Sequence, residues 1–286
     1  MKTGLDCIPC FVRQTLDASR KVTDDPAIHV QILREVLRWM GEMDLSLSPP
    51  VLAQRIHRRL RELTGIDDPY REEKDQHNQM ALSLLPGLRA QVAASPDPLM
   101  TAAHLAIAGN IIDLGAKSGL DESEVHEALL HAAEKPLEGD LETFREEVAK
   151  AATILYLADN CGEIVFDSLL IEQLGPQRVT LAVRGMPIIN DATLQDAVSV
   201  GLDKLVPTLG NGSDAPGTVL DDCSDEFKNA FESADLIVSK GQGNFETLSD
   251  CGKNIFFLLK VKCPVVAVSV GLPVGTHVLR RGRRFL

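Results

Sequence analysis

Aromatic residues are scarce in this chain, 4% of 286, so a core has to rest on leucine, isoleucine, valine and alanine. Long apolar runs are missing as well. None reaches the about 18 residues that a membrane-spanning helix requires. The opening segment MKTGLDCIPC lacks the apolar stretch of a secretory leader. These absences lead to the expectation of a cytoplasmic protein with no membrane partner. Positive charge is also in short supply: 29 Lys and Arg stand against 41 Asp and Glu, for a net charge of -12. Nucleic acids and anionic membranes reward a broad basic face, so neither is an expected partner. The one basic cluster, Arg280, Arg281, Arg283 and Arg284, reads as a solvated tail. Cysteine spacing excludes a four-thiolate zinc site, because only Cys7 and Cys10 form a C-x-x-C pair. The seven histidines show no ligand spacing either.

What the chain does contain is ordinary globular composition, 44% hydrophobic and 24% charged, and enough length for one large domain or two modest ones. Its periodicity changes near residue 150. Residues 1–150 read as a helical domain: apolar positions recur at helical spacing after Asp25-Pro26, Ser48-Pro49-Pro50 and Asp97-Pro98, and a long helical pattern runs from about Tyr70 to Val92. Residues 151–286 alternate short apolar runs with helical segments. ATILYLAD, RVTLAV, DKLVP, ADLIVS and PVVAVSV are the expected strands. Strands alternating with helices imply a mainly parallel, Rossmann-like α/β/α sheet, with the helical domain packed on it. Such sheets bind ligands at the carboxyl ends of their strands.

Three loops at those positions carry chemistry. Asp159-Asn160-Cys161-Gly162-Glu163 follows the first strand of the second half. A carboxylate beside an amide oxygen suits magnesium or manganese, while the same pair could simply cap a helix. Gly162 lets the chain turn so that helix N–H groups face an anion. The loop from Arg184 to Thr193 supplies Asp191, with helix capping again the competing role. The third loop, Ser239 to Thr247, places Lys240 before Gly241 and Gly243, with Asn244 close behind. It matches neither the P-loop nor the dinucleotide fingerprint, so no organic cofactor is expected. A metal, a lysine and backbone N–H groups are the set that stabilises a transferring phosphoryl group.

The segments DNCGEIVFD, PIINDAT and SKGQGNFETL resemble the signatures of the damage-control phosphatases, also called domain of unknown function 89. DCIPC, DPYREEKDQHN and LAIAGNIID are similar to the branch that carries an N-terminal cysteine pair. The resemblance implies a helical domain on an α/β domain, a divalent metal held by Asp159, Asn160 and Asp191, and Lys240 on the substrate phosphate. The implied activity is phosphoric monoester hydrolysis with manganese, magnesium, cobalt or nickel, on sugar phosphates or damaged phosphometabolites. Gly162, Arg184, Gly241, Asn244, Asn78 and Asn110 join Lys240 as phosphate-binding candidates, and Asp159, Glu163 and Lys240 are the catalytic ones. The attacking oxygen is either a water, with Glu163 or Asp191 as base, or Asp159 itself. The competing classes are a nucleotide- or SAM-using Rossmann-like enzyme and a non-catalytic metal- or metabolite-binding protein. Tyr70, Lys74 and Asn78 share one helix face and suggest a cleft wall. Asn110 and Asp113 interrupt an apolar helix. Cys7 and Cys10, one turn apart, could ligate, form a redox pair or pack, with Cys263 a candidate third partner.

Overall fold

Apolar runs without polar alternation form strands buried on both faces. The computed structural model describes residues 1–109 and 122–283, so Asn110 and Asp113 lie outside the described residues. Seven strands make one sheet: β1 (Leu137–Gly139), β2 (Ile154–Leu157), β3 (Val179–Val183), β4 (Thr208–Gly210), β5 (Leu236–Lys240), β6 (Ile255–Lys260) and β7 (His277–Arg281). Their order is β1-β7-β6-β5-β2-β3-β4. Every neighbouring pair is parallel except β6 with β7. The mainly parallel α/β architecture expected from the alternating pattern is therefore present.

Helices before the sheet are α1 (Cys7–Val22), α2 (Pro26–Glu42), α3 (Pro49–Thr64), α4 (Arg71–Ala94), α5 (Pro98–Ala108), α6 (Glu122–Glu134) and α7 (Leu141–Lys150). Proline at the first position starts α2 and α5, and Asp25 and Asp97 accept the freed backbone N–H groups of Ala27 and Met100. The later helices are α8 (Glu163–Leu174), α9 (Leu194–Ser199), α10 (Asp225–Ser233), α11 (Gln242–Leu248) and α12 (Pro264–Val270). One continuous core joins α4, α5 and α8 to one sheet face, from Ala81 through Phe166 to Leu279. It runs across residue 150, where the sequence periodicity changes. Helices α10, α11 and α12 cover the other face through Phe227, Phe245 and Val266. A separate cluster, including Phe11, Ile32 and Ile56, holds α1, α2 and α3 together. Among the described residues no helix is long and apolar enough to cross a membrane.

Three expectations need correction. PVVAVSV is not a strand but α12: Pro264 opens it, Val266 and Val270 point inward, and Val268 is exposed, which is helical spacing. DKLVP contributes a 3-10 turn, Leu202–Lys204, and the strand begins only at Thr208, after Pro207. Residues 242–248 are a helix rather than part of a loop, so only Gly241 separates β5 from α11.

Candidate functional site

The sheet order reverses beside β2: β3 lies on one side of it and β5 on the other, and the loops leaving all three meet at their carboxyl ends. The loop after β3 folds back onto the loop after β2. Cys161 N donates to Asn190 O at 2.9 Å, and Ala192 N to Asp159 O at 2.8 Å. Asn160 and Asp191 thereby face one another as an antiparallel bridge. The loop carries strain: Ile189, two residues before Asp191, has φ of 45° without being glycine.

At the centre of the cleft Arg184, 2% exposed, spreads its guanidinium over three acceptors. Nε donates to Asp191 Oδ2 at 2.6 Å, Nη2 to Asp159 Oδ1 at 3.3 Å and Nη1 to Asn244 Oδ1 at 3.0 Å. Asn160 Nδ2 donates to Asp159 Oδ2 at 2.8 Å and to Glu163 Oε2 at 3.1 Å. Asn244 Nδ2 ties the ends of β2 and β5 through Ala158 O and Lys240 O. Asp159, Asn160, Glu163, Arg184, Asp191 and Asn244, read as scattered candidates, are therefore one connected network.

Burial, then Asp191, then Glu163 push the Asp159 carboxyl up to about 7. Burial raises Asp191 too, against the pull of Arg184.

Lys240 is not where its sequence position suggested. It is fully buried, and its three N–H groups donate to Ala106 O at 2.8 Å, Glu163 Oε1 at 2.7 Å and Asp167 Oδ1 at 2.7 Å. No proton of Nζ is left for a phosphate. Burial opposes the charge on Lys240, but Asp167 and Glu163 outweigh it and raise the pKa. Glu163 in turn has one oxygen on Lys240 and the other on Asn160, which makes it an orienting group rather than a free base. Gly241 has a different use from phosphate approach. Its φ is +81°, and a Cβ there would fall inside the Asp159 carboxylate.

Asn78 reaches the site from α4: its Oδ1 accepts Gly162 N at 2.7 Å, while the buried Nδ2 has no partner among the described residues. Lys74, on the same helix face, is buried against Asp196 at 3.0 Å and Asp68 at 3.2 Å. Tyr70 precedes that helix, with Lys21 Nζ 5.3 Å from its ring centroid. Asn110 falls outside the described residues. Cys7, Cys10 and Cys263 are free thiols. Burial raises the pKa of Cys7 and Cys10, and Cys263 is near enough to add to both shifts. Among the described residues no three His, Cys, Asp or Glu side chains form a ready metal cage.

Sequence reasoning passed over Asp167, Tyr156 and Thr218. Tyr156 OH donates to Asp167 Oδ1 at 2.7 Å, and Thr218 Oγ1 to Asn244 Oδ1 at 2.8 Å. A carboxylate inside the apolar run EIVFDSLL, four residues after Glu163, was a readable signal for Asp167. Thr218 lies in irregular chain after β4 and offered none.

Relatives of this chain are known in both sequence and structure. A profile of the "damage-control phosphatase ARMT1-like domain" family matches residues 3–278. A damage-control phosphatase of Archaeoglobus fulgidus is 38% identical over 98% of this chain and 99% of its own. The damage-control phosphatase PH1575 of Pyrococcus horikoshii is 34% identical over 99% of both chains. The crystal structure of a DUF89 family protein from Pyrococcus horikoshii superposes with a TM-score of 0.90 at 33% identity, over 99% of this chain and 100% of that one. Matched nearly end to end in both sequence and fold, the chain belongs to the damage-control phosphatase family.

Proposed function

We propose that this protein is a metal-dependent phosphatase that hydrolyses phosphate monoesters of small metabolites, damaged ones among them, at the carboxyl ends of β2, β3 and β5. The observation that carries this reading is the convergence of Asp159 and Asp191, far apart in sequence, on one guanidinium. Neighbouring nitrogens of that guanidinium reach the two carboxylates, which supports their serving one cation together.

The donor set fits a hard divalent cation. Asp159, Asp191 and the Asn160 amide offer oxygen donors, and the neighbouring Cys161 thiol is turned to the backbone oxygen of Asp191. Asn160 Oδ1 accepts no hydrogen bond among the described residues, and Gly241 keeps space clear for the Asp159 carboxylate. Asp159, Asn160 and Asp191 would hold such an ion, which would supply positive charge to phosphoryl oxygens and lower the pKa of water there.

The chain's own groups do the rest. Lys240 fixes Glu163, and Glu163 fixes the Asn160 amide, so the lysine acts by orientation. The unpartnered Asn78 Nδ2 is a buried donor suited to a phosphoryl oxygen. The N-terminus of α8 directs its dipole at the same place. With Asp159 assigned to the ion and Asn160 Nδ2 on its Oδ2, a water is the attacking oxygen in this reading. A preformed donor at such a site contributes on the order of 3 kcal/mol to the transition state.

The test is a panel of phosphorylated metabolites and p-nitrophenyl phosphate, assayed with manganese, magnesium, cobalt or nickel and again after chelation. Turnover that appears with a divalent ion and disappears with the chelator is the expected result. Undiminished turnover in chelated protein, or none with any ion, would overturn the proposal.

A further inference from the structure

Arg184 occupies the place between the two carboxylates that the metal-dependent reading assigns to an ion. Its backbone is fixed. Arg184 N donates to Ala192 O at 2.9 Å, and the next residue's N–H is held by Ser213 O at 3.0 Å and Asn211 Oδ1 at 2.9 Å. Its side-chain hydrogen bonds, to Asp191, Asp159 and Asn244, are all made by the guanidinium, so an exchange of partners breaks no backbone bond. Leaving strands nothing. Asn244 Oδ1 keeps its bond from Thr218 at 2.8 Å, and the carboxylates remain paired if another cation replaces the guanidinium. A divalent ion would use the same carboxylate lone pairs as the guanidinium, so the two cations would compete. A buried guanidinium that gives up its carboxylates needs another acceptor, and its planar fork matches two phosphoryl oxygens.

We propose that Arg184 is the resident counter-ion of the Asp159–Asp191 pair, and that a divalent cation displaces it onto the substrate phosphate, which makes metal and phosphate bind cooperatively. This rests on the metal-dependent reading above. Reciprocity then requires that phosphate tighten the metal by the same factor that the metal tightens phosphate.

The experiment uses the full chain stripped of metal. Manganese alone is titrated by calorimetry into wild type, Arg184→Gln and Arg184→Lys, and inorganic phosphate is titrated into each with and without saturating manganese. Arg184→Gln, with no cation to displace, should bind manganese at least about ten-fold tighter than wild type, because each removed charge contact is worth of order a decade in affinity. Its phosphate affinity in manganese should fall by a similar factor. Arg184→Lys, which can reach only one carboxylate at a time, should shift both affinities in the same directions by less. If Arg184→Gln does not fold by circular dichroism, Arg184→Lys decides alone. Unchanged or weaker manganese binding in the folded variants overturns the counter-ion role. A wild type that binds no manganese, or turns over no phosphate ester with it, instead overturns the metal-dependent reading, and that result appears before any variant is made.

Discussion

Replacing Gly241 with alanine tests how tightly the Asp159 carboxylate is seated. The backbone there has φ +81° and ψ 164°, a region that residues with a Cβ adopt at a cost of about 1–3 kcal/mol. The added methyl falls on the Asp159 carboxylate, which cannot retreat freely because Asn160 Nδ2 holds it at 2.8 Å and Arg184 Nη2 at 3.3 Å. Overpacking of this kind costs a further 1–3 kcal/mol, roughly. Together these predict a melting temperature lower by roughly 5–20 °C. Activity should suffer more than stability: a reactive group displaced by about 1 Å loses on the order of 100-fold in rate. The assay is kcat/KM for p-nitrophenyl phosphate with manganese, beside a thermal melt. Gly65→Ala is the control, since Gly65 has φ +70° at the end of α3 with nothing near its would-be Cβ. It should lose about 1 kcal/mol and keep its activity. Wild-type kcat/KM in Gly241→Ala would refute the claim that this glycine seats the carboxylate.

Asp191→Ala should reduce p-nitrophenyl phosphate hydrolysis by at least about 100-fold with the far-ultraviolet spectrum unchanged; full activity would remove Asp191 from the site. Lys240→Met leaves Glu163 and Asp167 buried without their ammonium, so it should destabilise by about 3–5 kcal/mol and lower kcat while KM holds. A raised KM with kcat preserved would return Lys240 to the phosphate-binding role read from the sequence. Glu246, pushed up to about 7 by burial from an ordinary 4.5, keeps its proton longer in the folded chain than in the unfolded one. Its contribution is therefore fully present below pH 4.5 and lost as pH rises to about 7. Glu246→Gln should match wild type in acid and exceed it by about 3 kcal/mol above pH 7, read from denaturant midpoints. An equal difference at pH 5 and pH 8 would contradict this.

Asp159 and Arg184, two members of the connected network, were legible because a strand end is marked in one dimension: ATILYLAD stops at Asp159, and TLAV stops just before Arg184. The place of Lys240 was not. A lysine ending a strand looks the same whether it faces a ligand or the core, and the partners that decide, Glu163 and Asp167, lie 77 and 73 residues earlier. Similarly, IFFLLK and HVLRR form β6 and β7 while PVVAVSV, with the better strand composition, is a helix. Pro264 and the burial of alternate turns outweigh β-branching there, because tertiary packing overrides local preference. The brief strand β1 sits inside the segment with helical periodicity, where three residues are too few to register a period of two.

The charge inventory of the cleft bears on why an oxygen-lined site should want a divalent ion at all. Asp159, Glu163, Asp167 and Asp191 are buried carboxylates, and the buried cations bonded to them are Lys240 and Arg184. With every group ionised, four largely buried carboxylates stand against the two cations hydrogen-bonded to them, with Lys262 and Lys74 acting from further away, a costly state. Without a further cation the remedy is to retain protons, and Asp159 and Asp167 are accordingly driven up to about 7 and about 6, burial being the largest cause in each. Burial by itself does not produce this. Asp196, with no exposed surface of its own, is lowered instead: burial acts to raise it, and Lys74 with the hydroxyl and backbone N–H of Thr193 outweighs that. The neighbours separate the two clusters: Lys74 and the Thr193 donors face Asp196, whereas Asp191 and Glu163 stand against Asp159, a repulsion that a divalent ion held by Asp159, Asn160 and Asp191 would relieve on the function proposed above.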